Sequence, residues 1–220
     1  EPLDFKTNLS LQTDAGSISA KGVTLKIGEP ETLRYNGEFL ARNFNLASVL
    51  NDNKFDSKVN GVVKINGYGT SLDNLHTTVE AQIDSSMFAG ERVGPSQISV
   101  NSANRKFNGV LNLAIGSMRS QLHAELDRTE RVMPSFKVDG KVSSLNLADF
   151  LNDESQNTDL TLELKAEGTG LEWEKLSGNA MLDFSSSRYK EYRIDSSLVN
   201  ISIDQRDPLH SNITVKSKLA

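Results

Sequence analysis

Three histidines are the first residues to test for metal or acid–base chemistry. His76, His123 and His210 lie in unrelated places, and none forms a His-x-x-His or Glu-x-x-x-His pair of the kind that binds zinc. The chain has no cysteine, which excludes disulfides, thiolate metal sites and a cysteine nucleophile. We therefore expect the histidines to be solvated strand residues. The sequence predicts no catalytic residue, no metal site and no cofactor, and we do not expect an enzyme.

Glycine-rich and acidic segments raise the question of phosphate or calcium binding. Gly67-Tyr68-Gly69 and Gly168-Thr169-Gly170 lack the Lys-Ser/Thr helix start of a phosphate-binding loop. The segments 51–54 and 152–155 lack the Asp-x-Asp-x-Asp-Gly spacing of a calcium loop. We expect the glycines to form turns at strand ends, and the acidic residues to cap helix ends and face water.

Composition narrows the class of protein further. The 220 residues carry 24 Lys and Arg against 29 Asp and Glu, a net charge of -5, so the basic surface that nucleic-acid binding needs is missing. Hydrophobic residues make up 37% of the chain, enough for a thin core. No apolar run approaches the roughly 20 residues of a membrane-spanning helix. We interpret the chain as a segment of a longer protein.

Alternation of apolar and polar residues indicates the fold. It is cleanest at 160–167, where Leu160, Leu162 and Leu164 alternate with polar residues, and it recurs along the chain. Successive side chains of a strand point to opposite faces, so each segment has one apolar and one polar face. The pattern predicts an all-β protein of about thirteen strands, far above the usual strand content. We expect one long, curved antiparallel sheet, with a β-bulge at Gly22 where the apolar parity changes.

Two segments depart from alternation and reveal a repeat. Residues 45–52 and 146–153 space apolar residues as a short helix does, with Asn45 or Asn146 as N-cap. Leu46 aligns with Leu147 at an offset of 101 residues, and the two Gly-x-Gly segments hold the same offset. Asn36-Gly37 aligns with Asp139-Gly140 at 103, which predicts a two-residue insertion. We therefore divide the chain into the end of a preceding repeat (1–34), a first repeat (35–135) and a second repeat (136–220) of one continuous β-groove.

The apolar face is the remaining candidate for function. About thirteen strands joined in series at ~4.8 Å would span about 60 Å, and such a sheet with one apolar face must curl into a trough. Aromatic residues are only 6% of the chain, too few to fill the trough. We predict that one set of residues lines a common concavity and contacts lipid: Val63, Ile65, Val79, Ile83, Leu111, Leu113, Leu160, Leu162, Leu164, Leu182 and Phe184.

These residues and motifs resemble the TamB/AsmA-like family of envelope proteins. The resemblance rests on Tyr35-Asn36-Gly37 followed by the segment 43–50, and on Val138-Asp139-Gly140 followed by 145–151. The Gly-x-Gly segments and the stretches 176–180 and 186–190 add to it. It covers most of the chain, with motifs built from common strand residues.

The resemblance implies a periplasmic β-taco, a U-shaped sheet with a hydrophobic groove, anchored in the inner membrane by a helix outside this segment. It implies transport of phospholipid, through its acyl chains, between the inner and outer membranes. It also implies, with an outer-membrane β-barrel partner, a role in outer-membrane protein assembly. The family offers no catalytic residues.

Two other functions stay open from the sequence. In one, the chain is a scaffold or chaperone for outer-membrane protein translocation and assembly, whose sheet edges pair with client strands. In the other, it is an extracellular β-helix, an adhesin or a carbohydrate-active protein. A β-helix predicts coils of roughly 20–25 residues, which the 101-residue period disfavours.

Overall fold

The computed structural model describes residues 3–28, 33–88, 90–148, 153–205 and 210–219. The chain forms two compact units, Glu1–Gly116 and Ser117–Ala220. The repeats predicted at 35–135 and 136–220 follow from a period in the sequence. The starting point of a period is arbitrary, so the boundaries of the repeats do not have to coincide with those of the compact units.

The first unit is an antiparallel sheet with one short helix. Its sheet order is β1-β2-β3-β4-β5-β8-β9, and the short strands β6 and β7 form a hairpin beside β4 and β9. The strands are β1 (Leu3–Thr13), β2 (Gly16–Ile27), β3 (Arg34–Phe44), β4 (Ser57–Tyr68), β5 (His76–Ile83), β6 (Ser86–Phe88), β7 (Glu91–Val93), β8 (Ser96–Ala103) and β9 (Lys106–Ile115).

The second unit is an antiparallel meander in which each strand pairs with the next one in sequence. Its strands are β10 (Met118–Asp127), β11 (Ser135–Leu145), β12 (Thr158–Thr169), β13 (Ser177–Tyr189), β14 (Tyr192–Asp204) and β15 (Asn212–Leu219). The prediction of an all-β, antiparallel protein is confirmed. The hairpin of β6 and β7 is additional to the strands that alternation predicts.

The predicted bulge at Gly22 is present. The register between β1 and β2 shifts between Thr7 and Leu9, and that between β2 and β3 shifts at the same place in β2. Gly22 has a φ of 58°, which glycine adopts without strain. Its N–H leaves the ladder and donates to the side-chain oxygen of Asn8 at 2.7 Å. The bulge therefore keeps apolar residues on one face on both sides of the irregularity.

The first predicted helix is also confirmed. Helix α1 (Leu46–Leu50) begins after Asn45, whose side-chain oxygen accepts hydrogen bonds from the N–H groups of Ala47 at 2.9 Å and Ser57 at 3.1 Å. Asn146 makes the equivalent bonds to Ala148 at 3.2 Å and Thr158 at 3.0 Å. The rest of the second predicted helix, 149–152, lies outside the described residues.

The 101-residue repeat extends to individual hydrogen bonds. Ser86 Oγ accepts from the N–H of Asn60 at 2.9 Å, and Ser187 Oγ accepts from Thr161 at the same distance. Asp52 caps the 3₁₀ turn Asn53–Phe55, and Asp153 caps the 3₁₀ turn Glu154–Gln156. Both aspartates belong to the acidic segments that were expected to cap helices. These particular hydrogen bonds are thus the same in both copies.

The Gly-x-Gly segments are turns at strand ends, as predicted. Gly69 and Gly170 have φ angles of 91° and 80°, and a Cβ at either would lie 2.2 Å from a backbone oxygen. Their N–H groups donate to the carbonyls of Leu33 at 3.0 Å and Pro134 at 2.9 Å. Only glycine fits this turn, which explains why it recurs.

The two-residue insertion predicted from Asn36-Gly37 and Asp139-Gly140 is wrong. Tyr35 pairs with Gly67, and Phe136 pairs with Gly168, so the offset is already 101 at the start of β3 and β11. It is still 101 at the bulges that follow Ala41 and Val142. Gly37 therefore corresponds to Val138 rather than to Gly140, and the two Gly dipeptides resemble each other without being equivalent.

Among the described residues, none of the helices is both long enough and apolar enough to cross a membrane.

Candidate functional site: the apolar face of each unit

The apolar face of the first unit is defined by its register. Phe39 pairs with Val63, Val63 with Ala81, Ala81 with Ile98, and Ile98 with Leu111. Residues paired across antiparallel strands point to the same side of a sheet. One row of apolar side chains therefore crosses five neighbouring strands.

All six predicted residues of the first unit lie on this face. Ile65 pairs with Val79, which places both one row from Val63. Ile83 is two residues beyond Ala81 on β5, and Leu113 is two residues beyond Leu111 on β9, so each shares its strand neighbour's face. The strand pairing therefore places on one face all six residues that alternation predicted, namely Val63, Ile65, Val79, Ile83, Leu111 and Leu113.

The five predicted residues of the second unit share a face in the same way. Leu162 pairs with Phe184 and Leu164 with Leu182, and Leu160 precedes Leu162 by two residues on β12. The face continues onto β14, where residues that the sequence analysis did not single out complete it. These are Val199, which pairs with Leu182, and Ile201, which pairs with Ala180. That all eleven residues share one concavity stays a prediction.

An apolar cavity of about 220 Å³ lies on the apolar face of the first unit. Val63 and Ile83 line it, together with Phe39, Ile18 and Gly61. Phe39, Ile18 and Gly61 were missed by the prediction. The alternation of apolar and polar residues in β2, β3 and β4 places each of these three residues on the apolar side of its own strand. Only the register between the strands shows that the three residues meet.

No second layer covers these faces among the described residues. Among all the described residues, the buried apolar ones are Ala20, Ala47, Val93, Ala114 and Met118. The large residues of the apolar faces are half-buried or exposed. Phe39 is 38% exposed and Val63 39%, although both lie on strands with neighbours on each side. The apolar faces thus differ from the core of a sandwich, where such residues are enclosed.

Uncovered apolar surface is unfavourable in water by about 25 cal/mol per Å², so a face of this kind is suited to an apolar ligand.

Charged residues occupy the opposite, polar face and pair there across strands. Lys64 lies 3.8 Å from Glu38 in the first unit, and Lys141 lies 2.5 Å from Glu163 in the second. A hydrogen bond from Lys141, and then its positive charge, hold the pKa of Glu163 below the ordinary value of 4.5. These pairs are exposed, so they keep the polar face hydrated and add little stability.

Within the described part of the chain, no group of three or more His, Asp or Glu side chains is placed to hold a metal ion. What the apolar faces can do is contact hydrocarbon without directional bonds, because the hydrophobic effect is not directional.

No protein-family model, curated protein or solved structure matches this chain. Function is therefore inferred from the geometry of the two faces.

Proposed function

We propose that this chain is a non-enzymatic segment of a periplasmic, TamB/AsmA-like protein that carries phospholipid between the inner and outer membranes on its apolar faces. The observation that supports this function is the uncovered apolar surface. Phe39 and Val63 are in the middle of a sheet, yet more than a third of the surface of each residue is exposed.

An acyl chain fits such a surface because it needs contact area and no polar partners. The row through Val63 continues to Ala81 and Ile98 through side chains that differ in size but not in polarity. A ligand held by area alone can shift along such rows without breaking a hydrogen bond. Transfer along a groove requires this property.

The polar face supports the same function from the other side. Ion pairs such as Lys64–Glu38 and Lys137–Glu167 lie on it, and their side chains are exposed. One face therefore stays wetted while the other shields hydrocarbon, as a lipid carrier in an aqueous compartment requires.

The experiment is native mass spectrometry of the purified 220-residue chain, comparing two aspartate variants of one strand. Leu162→Asp places a carboxylate on the apolar face, where desolvation opposes its charge. Lys165→Asp places the same group on the polar face of β12. We expect the parent chain and Lys165→Asp to retain phospholipid, and Leu162→Asp to remain folded and lose most of it.

Circular dichroism and cooperative melting show whether each variant has folded. A parent chain that never carries phospholipid contradicts the proposal, and so does a folded Leu162→Asp chain that carries the parental amount. If Leu162→Asp fails to fold, Val63→Asp makes the same comparison at an exposed position. Undiminished lipid in that variant also contradicts the proposal.

A further inference from the structure

The polar face of the first unit carries a row of asparagines. Asn36 pairs with Asn66, Asn66 with Thr78, Thr78 with Asn101, and Asn101 with Asn108, so the row crosses β3, β4, β5, β8 and β9. Asparagine is depleted in strands, and threonine or serine would hydrate the surface equally well. Strand propensity therefore does not explain the row.

Most of these amides make no hydrogen bond within the described part of the chain. Asn101 donates to Thr78 Oγ1 at 3.4 Å, whereas the side chains of Asn36, Asn66 and Asn108 make no hydrogen bond to any described residue. Each amide offers two donors and an acceptor to an outside molecule.

The second unit has a polar row in the same register, with Lys137, Glu167, Asn179 and Ser202 in the places of Asn36, Asn66, Thr78 and Asn101. Lys137 pairs with Glu167, Glu167 with Asn179, Asn179 with Ser202, and Ser202 with Asn212. The amides of Asn179 and Asn212 are also unpaired among the described residues, as is that of Asn200, one row away on the same face. Asparagines thus occur in both rows, but at different positions of the repeat.

Each row borders a hollow of ligand size. In the first unit a hollow of about 420 Å³ is lined by Asn36, Asn66 and Thr78, and in the second a hollow of about 640 Å³ is lined by Asn179, Asn200 and Asn212. Both volumes lie in the range of ligand sites.

The charges at both hollows balance. The first is lined by Lys21, Lys64, Glu38 and Glu80, and the second by Lys137, Lys165, Asp139 and Glu167. In each hollow one lysine is paired with a glutamate at 3.8 Å. With two positive and two negative groups at each, neither hollow attracts an anion or a cation.

We propose that these rows bind a neutral, hydroxyl-rich ligand, namely a carbohydrate, on the face opposite to the apolar one. A hydroxyl both donates and accepts, as an amide does, so adjacent sugar hydroxyls match the amides of Asn179, Asn200 and Asn212. Met181, which pairs with Asn200 and lines the same hollow, offers an apolar contact for the C–H groups of a sugar ring.

The test is a titration of the ¹⁵N-labelled chain with maltotriose, cellotriose and triacetylchitotriose, followed through the asparagine side-chain amide signals by nuclear magnetic resonance. We expect at least one trisaccharide to shift the signals of Asn179, Asn200 and Asn212, with a Kd of about 1 mM or below. Asn179→Ala should weaken binding at the second unit about tenfold, and Asn66→Ala should do so only at the first.

Asn112→Ala is the matched control, since Asn112 lies on the same polar face of β9 but lines neither hollow. It should leave both titrations unchanged. The proposal is overturned if no trisaccharide shifts these signals at millimolar concentration, if the control weakens binding as much as Asn179→Ala, or if only a peptide such as trialanine binds. Lipid binding occurs on the other face, so its presence or absence does not affect this result.

Discussion

The two units build the same hydrogen-bond pattern but fill their apolar faces differently. In the first unit Gly61 stands between Ala41 and Ile83, whereas in the second Leu162 stands between Val142 and Phe184. One row away the sizes are reversed, with Phe39 in the first unit and Gly140 at the equivalent position in the second.

This difference shows which features the repeat requires. The caps at Asn45 and Asn146 are preserved, and so are Ser86 and Ser187, whose hydroxyls accept from backbone N–H groups. Each of these side chains satisfies backbone groups that would otherwise be unpaired. The apolar positions need only to remain apolar, so large and small residues can exchange places. The apolar cavity next to Gly61 is one consequence.

The polar faces differ at one informative position as well. Lys141 and Glu163 form an ion pair in the second unit, and the equivalent residues of the first unit are Leu40 and Val62, which are paired in the same register. Charge at this place is therefore not needed to hold the two strands together.

The largest effect on stability is expected from Gly61→Ala. A Cβ at this position would lie 2.4 Å from the backbone oxygen of Gln82, so β4 and β5 must separate. We expect the free energy of unfolding to fall by about 1–3 kcal/mol, as in an overpacked site. Urea denaturation measures it.

Gly37→Ala is the matched control for that variant. The atoms nearest to its Cβ would be side-chain atoms of Val23 and Phe39, at 3.2 Å and beyond, and these can move. If both variants lose the same stability, close approach of β5 is not the reason for glycine at 61.

The next effect concerns whether the apolar face is covered. Leu162→Ala should lower the free energy of unfolding by about 1–2 kcal/mol, the transfer term for a half-exposed leucine. A leucine enclosed in a packed core loses about 2–5 kcal/mol. Lys165→Ala, on the polar face of the same strand, should change stability by less than about 0.5 kcal/mol. A loss above about 3 kcal/mol for Leu162→Ala means that another layer covers the face.

Much of the fold could be predicted from local pattern. Alternation at 160–167 identified β12 and its apolar face, and the change of parity at Gly22 identified the bulge, because both are properties of neighbouring residues in one strand. The three-residue strands β6 and β7 were missed because three residues cannot show a period of two.

Features that depend on partners could not be predicted. The equivalence of Gly37 with Val138 is set by which residue each faces on β4 or β12, so comparison of Asn36-Gly37 with Asp139-Gly140 was misleading. The cavity at Gly61 likewise requires β2, β3, β4 and β5 in register. Whether the amide of Asn66 is free is a property of its surroundings and cannot be read from one strand.

The smallest effect concerns the ion pair that the first unit lacks. Lys141 lowers the pKa of Glu163, so the contribution of this carboxylate to stability is present above the ordinary value of 4.5. This contribution to stability is lost as the pH falls below 4.5 and passes the lower pKa that Glu163 has in the folded chain. Lys141→Leu, which copies Leu40 of the first unit, should return the pKa of Glu163 toward 4.5, as followed by carbon-13 titration of its carboxyl group.

Asp153 serves as the internal control in the same titration. Hydrogen bonds from the side chain and then the backbone of Ser155 lower the pKa of Asp153, and Lys141 is not among the causes of this shift. Its pKa should therefore stay low in the Lys141→Leu variant. If the pKa of Glu163 stays low as well, the cause is not the cross-strand lysine. The presence of Lys141 and Glu163 in the second unit, where the first unit has Leu40 and Val62, would then not explain the lowered pKa of Glu163.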